Sequence, residues 1–221
     1  MSFIVAIDGP AGTGKGTVTK VIAEKMNLVN IDTGATYRCV ALEMLNKGIS
    51  LEDEEKIKSM LNTIRIEFKN VDGNQLVYLN GQDVTNEIRS KRVTECVSQV
   101  SAIKQVRLSM ANLQREMGLK QDSIMEGRDI GTYVFPNANV KIYLDADVEE
   151  RAKRRFIQNK EKNIDMSYEE ILENIKMRDA NDKAKEIGAL KVADDAIVID
   201  TTHLTIDEVV NKIINMIKSK Q

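Results

Sequence analysis

The sequence predicts a three-layer α/β/α fold, in which helices cover both faces of a parallel central sheet. Three observations predict it. Short apolar runs alternate with helical periods along most of the 221 residues. A glycine-rich turn joins the first such run to the first helix. Only around residues 62–90 does the texture change to apolar–polar alternation, the mark of a small half-buried antiparallel sheet.

The elements follow in order. Residues 3–8 form a short apolar run, predicted as a buried strand ending at the glycines. From Lys15 to Met26, Val18, Val21, Ile22 and Met26 recur at helical spacing. A second helix is predicted over about 36–46, stopped by Gly48, and a third is opened by residues 50–53 with Ile57, Met60 and Leu61 on one face. Residues 64–68 alternate, 72–74 form a turn, 76–79 form a strand, and Asn80-Gly81 favours a tight hairpin. Helices at about 91–97 and 103–117 follow, then strands at 123–126 and 140–144. A helix at 149–159 comes next. Ser167 with Glu170 is a capping box for another, 196–200 is a strand, and Thr205 with Glu208 caps the last helix.

Composition narrows the function. The net charge is −2, so no broad basic field exists to hold a nucleic-acid backbone, and none is expected as partner. No apolar run reaches the length of a membrane span, and the amino terminus lacks the basic region of a signal peptide. Cys39 and Cys96 form no CxxC and are expected as reduced thiols in a cytoplasmic protein. His203 is the sole histidine, which excludes a zinc site of the two-histidine kind.

The strongest motif is Gly9-Pro10-Ala11-Gly12-Thr13-Gly14-Lys15-Gly16-Thr17, a GxxxxGK phosphate-binding loop (P-loop) between a strand and a helix. The glycines allow a tight curl that aims backbone N–H groups at a phosphate, and the helix N-terminus adds its dipole. Lys15 can reach the β and γ phosphates of a bound nucleotide. The position after the lysine, usually Ser or Thr, is Gly16, so no hydroxyl can meet magnesium there. The motif is shared by kinases, GTPases and motor ATPases and does not fix a function.

Three further segments, 31–38 (IDTGATYR), 126–136 (EGRDIGTYVFP) and 140–146 (VKIYLDA), stand with IDGPAGTGKGT in an order and spacing that closely resemble bacterial cytidylate kinases. The GKGT ending is similar to that of nucleoside monophosphate kinases generally. The resemblance implies one domain over 1–221: a P-loop core at about 1–61, 91–150 and 167–221, an inserted antiparallel NMP-binding subdomain at about 62–90, and a helical lid at about 151–166. It implies ATP as donor, with its phosphates on residues 9–17, and Mg²⁺ held mainly through phosphates and water, with no dedicated protein metal ligands. CMP and dCMP are the implied acceptors.

Position by position, it implies that Thr33 (Ser in most of the family) and Arg38 meet CMP, Arg38 at the phosphate. Arg128 is a second phosphate ligand. Asp129 reads the cytosine amino group, with Ser98 and Arg107 as further base readers. Arg178 and Asp182 hold sugar and phosphate. Lys185 stands where the family commonly has a phosphate-binding arginine, and a lysine there loses bidentate geometry. The chemistry agrees, since a carboxylate accepts from the amino group of cytosine but opposes the carbonyl that uracil presents there.

Arg178, Asp182 and Lys185 lie at i, i+4 and i+7, one face of a helix, a pattern that by itself also suits a solvated surface. Arg151, Arg154 and Arg155 cluster at a helix start. They suit either a lid that brings arginines, Arg151 and Arg155 among them, to the transferring phosphoryl, or a basic surface helix paired with Glu149 and Glu150. Asp8, Glu126 and Asp129 are carboxylates able to orient magnesium-bound water. The expected reaction is in-line transfer from ATP to CMP, with Lys15, Mg²⁺ and arginines neutralising charge and no strong base. The rivals are a kinase for another acceptor (UMP, AMP or shikimate) and a nucleotide-switch protein. A GTPase switch would carry an NKxD motif, which the sequence lacks. No dimer signature is present, and a monomer is expected.

Overall fold

The computed structural model describes residues 2–71, 74–161 and 164–221. It divides into two compact units, one of 1–30 with 115–221 and one of 31–114. The sheet has five strands in the order β2-β6-β1-β7-β8, flanked by helices. They are β1 (Ile4–Asp8), β2 (Val29–Asp32), β6 (Ser123–Gly127), β7 (Val140–Asp145) and β8 (Ile197–Asp200). β1 pairs in parallel with β6 and with β7, and β7 with β8. This is the predicted class.

Every residue of β1 is buried, as a strand covered on both faces requires. Val5 and Ile7 share a core with Val18 and Ile22 of α1 (Lys15–Met26) and with Val210, Ile213 and Ile217 of α8 (Ile206–Lys218). α6 (Val148–Glu161) and α7 (Tyr168–Lys183) pack through a smaller cluster of Ala152, Ile171 and Ile175. Both expected capping boxes form, Ser167 with Glu170 and Thr205 with Glu208.

The second unit holds α2 (Thr33–Lys47), α3 (Glu54–Thr63), β3 (Ile66–Val71), β4 (Asn74–Leu79), β5 (Gln82–Asp83), α4 (Lys91–Val100) and most of α5 (Lys104–Gly118). The small sheet is antiparallel, β3-β4-β5. Its hairpin turns at Asn80-Gly81, both at positive φ, as the dipeptide predicts. Residues 72 and 73 of the expected turn, and 162 and 163 of the expected lid, lie outside the described residues. Ile66, Val77 and Leu79 of the sheet share one core with Leu42 of α2, Ile57 and Met60 of α3 and Val93 of α4. The sheet therefore has helices of its own unit to pack on.

Two differences from the sequence reading have local causes. α2 begins at Thr33 rather than 36, because Asp32 is its N-cap and its Oδ1 accepts from the Ala35 N–H at 3.1 Å. α7 ends at Lys183, so Lys185 lies beyond the helix and not on its face. The Asp182 carbonyl, which the next helical turn would use, instead accepts from the Leu190 N–H at 2.8 Å.

Candidate active site

The phosphate-binding loop follows β1 directly. Gly9, Gly12 and Gly14 all take positive φ. Gly9 has no alternative, since a Cβ there would stand 2.0 Å from the Leu144 carbonyl oxygen. Lys15 is buried, and its Nζ crosses the loop to donate to Pro10 O at 2.6 Å and to Thr13 Oγ1 at 3.3 Å. Burial, then the neighbouring Arg128 guanidinium, hold its pKa well below the ordinary lysine value, against the pull of Glu126 and Asp8.

Beyond β6 stands Arg128. Its Nε donates to Asp182 Oδ2 at 2.9 Å, while Lys185 Nζ donates to Asp182 Oδ1 at 2.7 Å. Each oxygen of one carboxylate thus takes a cation, and the Asp182 and Lys185 side chains are both nearly buried. Burial opposes ionisation of Asp182, but Arg128, Lys185 and Arg178 outweigh it and hold the carboxyl at about 2. The solvated-surface reading of this row is therefore wrong for Asp182 and Lys185.

Asp129 is buried and precedes a single π-helical turn, Ile130–Val134. Its carbonyl accepts from the N–H groups of Tyr133 and Val134. Such turns gather at functional sites. Asp8, the last residue of β1, is buried and accepts from the N–H groups of Ile130 (2.8 Å) and Gly131 (2.7 Å).

The arginines of α6 diverge. Arg151 is buried. Its Nε donates to Ala146 O and its Nη1 to Ala11 O of the phosphate loop, both at 3.0 Å, and its Nη2 pairs with Asp179 Oδ2 at 2.7 Å. Arg154 pairs with Glu150 and donates to the carbonyls of Thr201 and Thr202. Arg155 is exposed. Asp179 was not foreseen, because its partner stands 28 positions away on another helix and no local pattern links them.

In the second unit, Thr33 is the buried first residue of α2, and Arg38 Nη1 donates to Ile88 O (3.0 Å) and Thr94 Oγ1 (2.9 Å). Ser98 of α4 and Arg107 of α5 meet through Ser101. The Ser101 hydroxyl donates to Ser98 O at 3.0 Å, and the Ser101 carbonyl accepts from Arg107 Nη1 at 3.2 Å. Arg107 is buried, and its guanidinium lies 5.3 Å from the ring centroid of Tyr37. Tyr37 was not singled out from the sequence. Cys39 and Cys96 are free thiols; burial, helped by Asp32, pushes Cys39 up to about 12, which disfavours its thiolate. Among the described residues, no cluster of three or more His, Cys, Asp or Glu could hold a metal, and no helix is long and apolar enough to cross a membrane.

The chain was compared with known proteins. In structure it is similar to a protein from Eubacterium ventriosum at a TM-score of 0.53 and 16% identity, covering 99% of each chain, a likeness that speaks to fold alone. In sequence it is 52% identical over 217 residues to a protein named cytidylate kinase from Lactobacillus gasseri, covering 98% of this chain and 94% of that one. It is 49% identical over 212 residues to the cytidylate kinase of Caldicellulosiruptor bescii, covering 96% and 94%. The family model described as cytidylate kinase matches residues 5–219. The chain belongs to the cytidylate kinase family.

Proposed function

We propose that the chain transfers the γ-phosphoryl of ATP to CMP or dCMP. The observation that carries this is the group of cations gathered about Lys15. Arg128 and Arg178 both press on its pKa, and Arg128 shares Asp182 with Lys185. Crowding like charges is costly, and resident carboxylates such as Asp182 offset only part of it, leaving the place suited to further anions. Two phosphate esters brought together for in-line transfer are such anions.

In this reading residues 9–17 cradle the ATP phosphates and Lys15 neutralises charge on the group in flight. Arg38, Arg128, Arg178 and Lys185 hold the CMP phosphate, and Asp182 holds the sugar and fixes Arg128. Asp129 accepts from the cytosine amino group, with Ser98 and Arg107 reading the rest of the base edge and Thr33 beside it. Arg151 and Arg155 belong to a lid at about 151–166 that excludes water, and residues 62–90 form the NMP-binding subdomain of a single P-loop domain. The attacking phosphate oxygen is already anionic, so no strong base is required.

The residues fit Mg²⁺ held chiefly by phosphates and water. Position 16 offers no hydroxyl, and a Cβ there would stand 3.0 Å from Glu126 Oε1. Mg²⁺, when bound with ATP, would supply neutralisation of the phosphate charge. Of the carboxylates Asp8, Glu126 and Asp129, Glu126 stands beside Gly16 and would be the one to orient its water shell. The protein works as a cytoplasmic monomer.

The test is ADP release with ATP and Mg²⁺, offering CMP, dCMP, UMP and AMP in parallel. Fast turnover on CMP and dCMP alone is expected. Dominant turnover on UMP or AMP would overturn the acceptor, and slow release indifferent to acceptor would favour a nucleotide switch.

A further inference from the structure

Asp8 has no part in the transfer as described, yet its placement is specific. It ends β1, one residue before the phosphate loop, and both of its carboxylate oxygens are taken by backbone donors. Oδ1 accepts from Ile130 N–H at 2.8 Å and Oδ2 from Gly131 N–H at 2.7 Å. These peptides directly follow Arg128 and Asp129. Burying a carboxylate is expensive unless its oxygens are hydrogen-bonded, and a neutral anchor would cost less.

The charge has a geometric use. Two converging N–H donors need two acceptors, and an amide in the same place would set its NH₂ against one of them. Space is tight as well, because a Cβ at Gly131 would meet Asp8 Oδ2 at 3.4 Å and Lys141 Cδ at 3.2 Å. The charged groups acting on Asp8 are Asp129, which repels it, and Lys15, which attracts it. A carboxylate is thus kept ionisable beside another carboxylate, where a purely mechanical clamp would avoid one.

We infer that Asp8 is a positioning residue for acceptor recognition: by holding the peptides of Ile130 and Gly131 it aims Asp129, and so sets the selectivity between cytosine and uracil nucleotides. The inference rests on the proposed cytidylate kinase reading.

The experiment is Asp8→Asn in the full chain, with KM for CMP, KM for ATP, kcat and the CMP-to-UMP selectivity measured beside wild type. Loss of one charge-assisted bond predicts a rise of about tenfold in the CMP KM and a similar fall in selectivity, with the ATP KM within about twofold. Unchanged selectivity with a normal wild type overturns the inference, as does a parallel rise in both KM values. Wild type that ignores CMP overturns the functional reading instead. Should Asp8→Asn not fold, amide exchange on wild type decides. CMP, and not ATP alone, is expected to slow exchange at Ile130 and Gly131, and exchange insensitive to CMP overturns the inference.

Discussion

Arg151 of α6 and Asp179 of α7 form an ion pair of 2.7 Å in which both side chains are close to fully buried. The same guanidinium bonds the Ala11 carbonyl of the phosphate loop. Removing the acid leaves a buried arginine uncompensated, which typically costs several kcal/mol. Asp179→Ala is expected to lower the stability to urea unfolding by about 3 kcal/mol and to raise the KM for ATP. A loss under about 1 kcal/mol would show that the pair contributes no more than a surface bridge.

Asp182 carries the acid sensitivity of the site. Its folded pKa, about 2, lies below the ordinary 3.8. For a depressed carboxyl, the stabilisation is present above the unfolded value and is lost as pH falls through the folded one. Wild type should therefore lose about 2 kcal/mol relative to Asp182→Asn between pH 5 and pH 2, read by urea unfolding at each pH. Parallel curves for the two proteins would contradict the assignment.

Asp8 has the opposite sign. Burial first, with Asp129 adding to it, raises its pKa from 3.8 to about 6 despite the two N–H donors. Its contribution to stability is full below the unfolded value and is lost as pH rises through about 6. Between pH 4 and pH 7, wild type should lose stability relative to Asp8→Asn, as thermal unfolding across that range would reveal. A wild-type curve rising relative to the variant would mean that the hydrogen bonds outweigh burial.

Gly16 faces Glu126, whose Oε1 would lie 3.0 Å from an added Cβ. Gly16→Ser restores the hydroxyl of other phosphate loops but pushes on that carboxylate. The expected result is a fall in kcat of about tenfold or more from misplacement alone, with unfolding little changed. Steady-state kinetics over a Mg²⁺ titration is the measurement, and an increase in kcat would remove Glu126 from the proposed role.

Asp129→Ala should abolish most CMP turnover and the preference over UMP while ATP still binds. Unmatched hydrogen-bonding groups separate good from poor substrates by large factors, so a shift in selectivity of about a hundredfold is expected. Competition between CMP and UMP at limiting ATP measures it, and retained preference would move base reading elsewhere.

Much of this was legible because local chemistry decides it. The loop at 9–17, the hairpin at Asn80-Gly81 and both capping boxes depend on residues a few positions apart. The start of α2 was misplaced although Asp32 was a readable N-cap. What stayed hidden depends on tertiary approach. Arg151 with Asp179, Arg107 over Tyr37 and Asp8 with Ile130 join residues 28 to 122 positions apart or on different elements, and nothing in their neighbourhoods announces the partner. Lys185 stands two residues beyond the end of α7, where the Asp182 carbonyl takes the Leu190 N–H, an arrangement that helical spacing does not encode.

Two carbonyls of the phosphate loop are firmly held by side chains. Pro10 O accepts from Lys15 at 2.6 Å and Ala11 O from Arg151 at 3.0 Å. Because a peptide's C=O and N–H point in opposite directions, tying a carbonyl fixes where the N–H of the same peptide aims. The loop's freedom is then surrendered when the chain folds, not when nucleotide arrives. The loop is pre-organised, so calorimetry of triphosphate binding should carry little ordering entropy from this end of the molecule. Loosening Arg151 would return part of that entropy to the binding step, weakening affinity through a residue that holds the loop from outside.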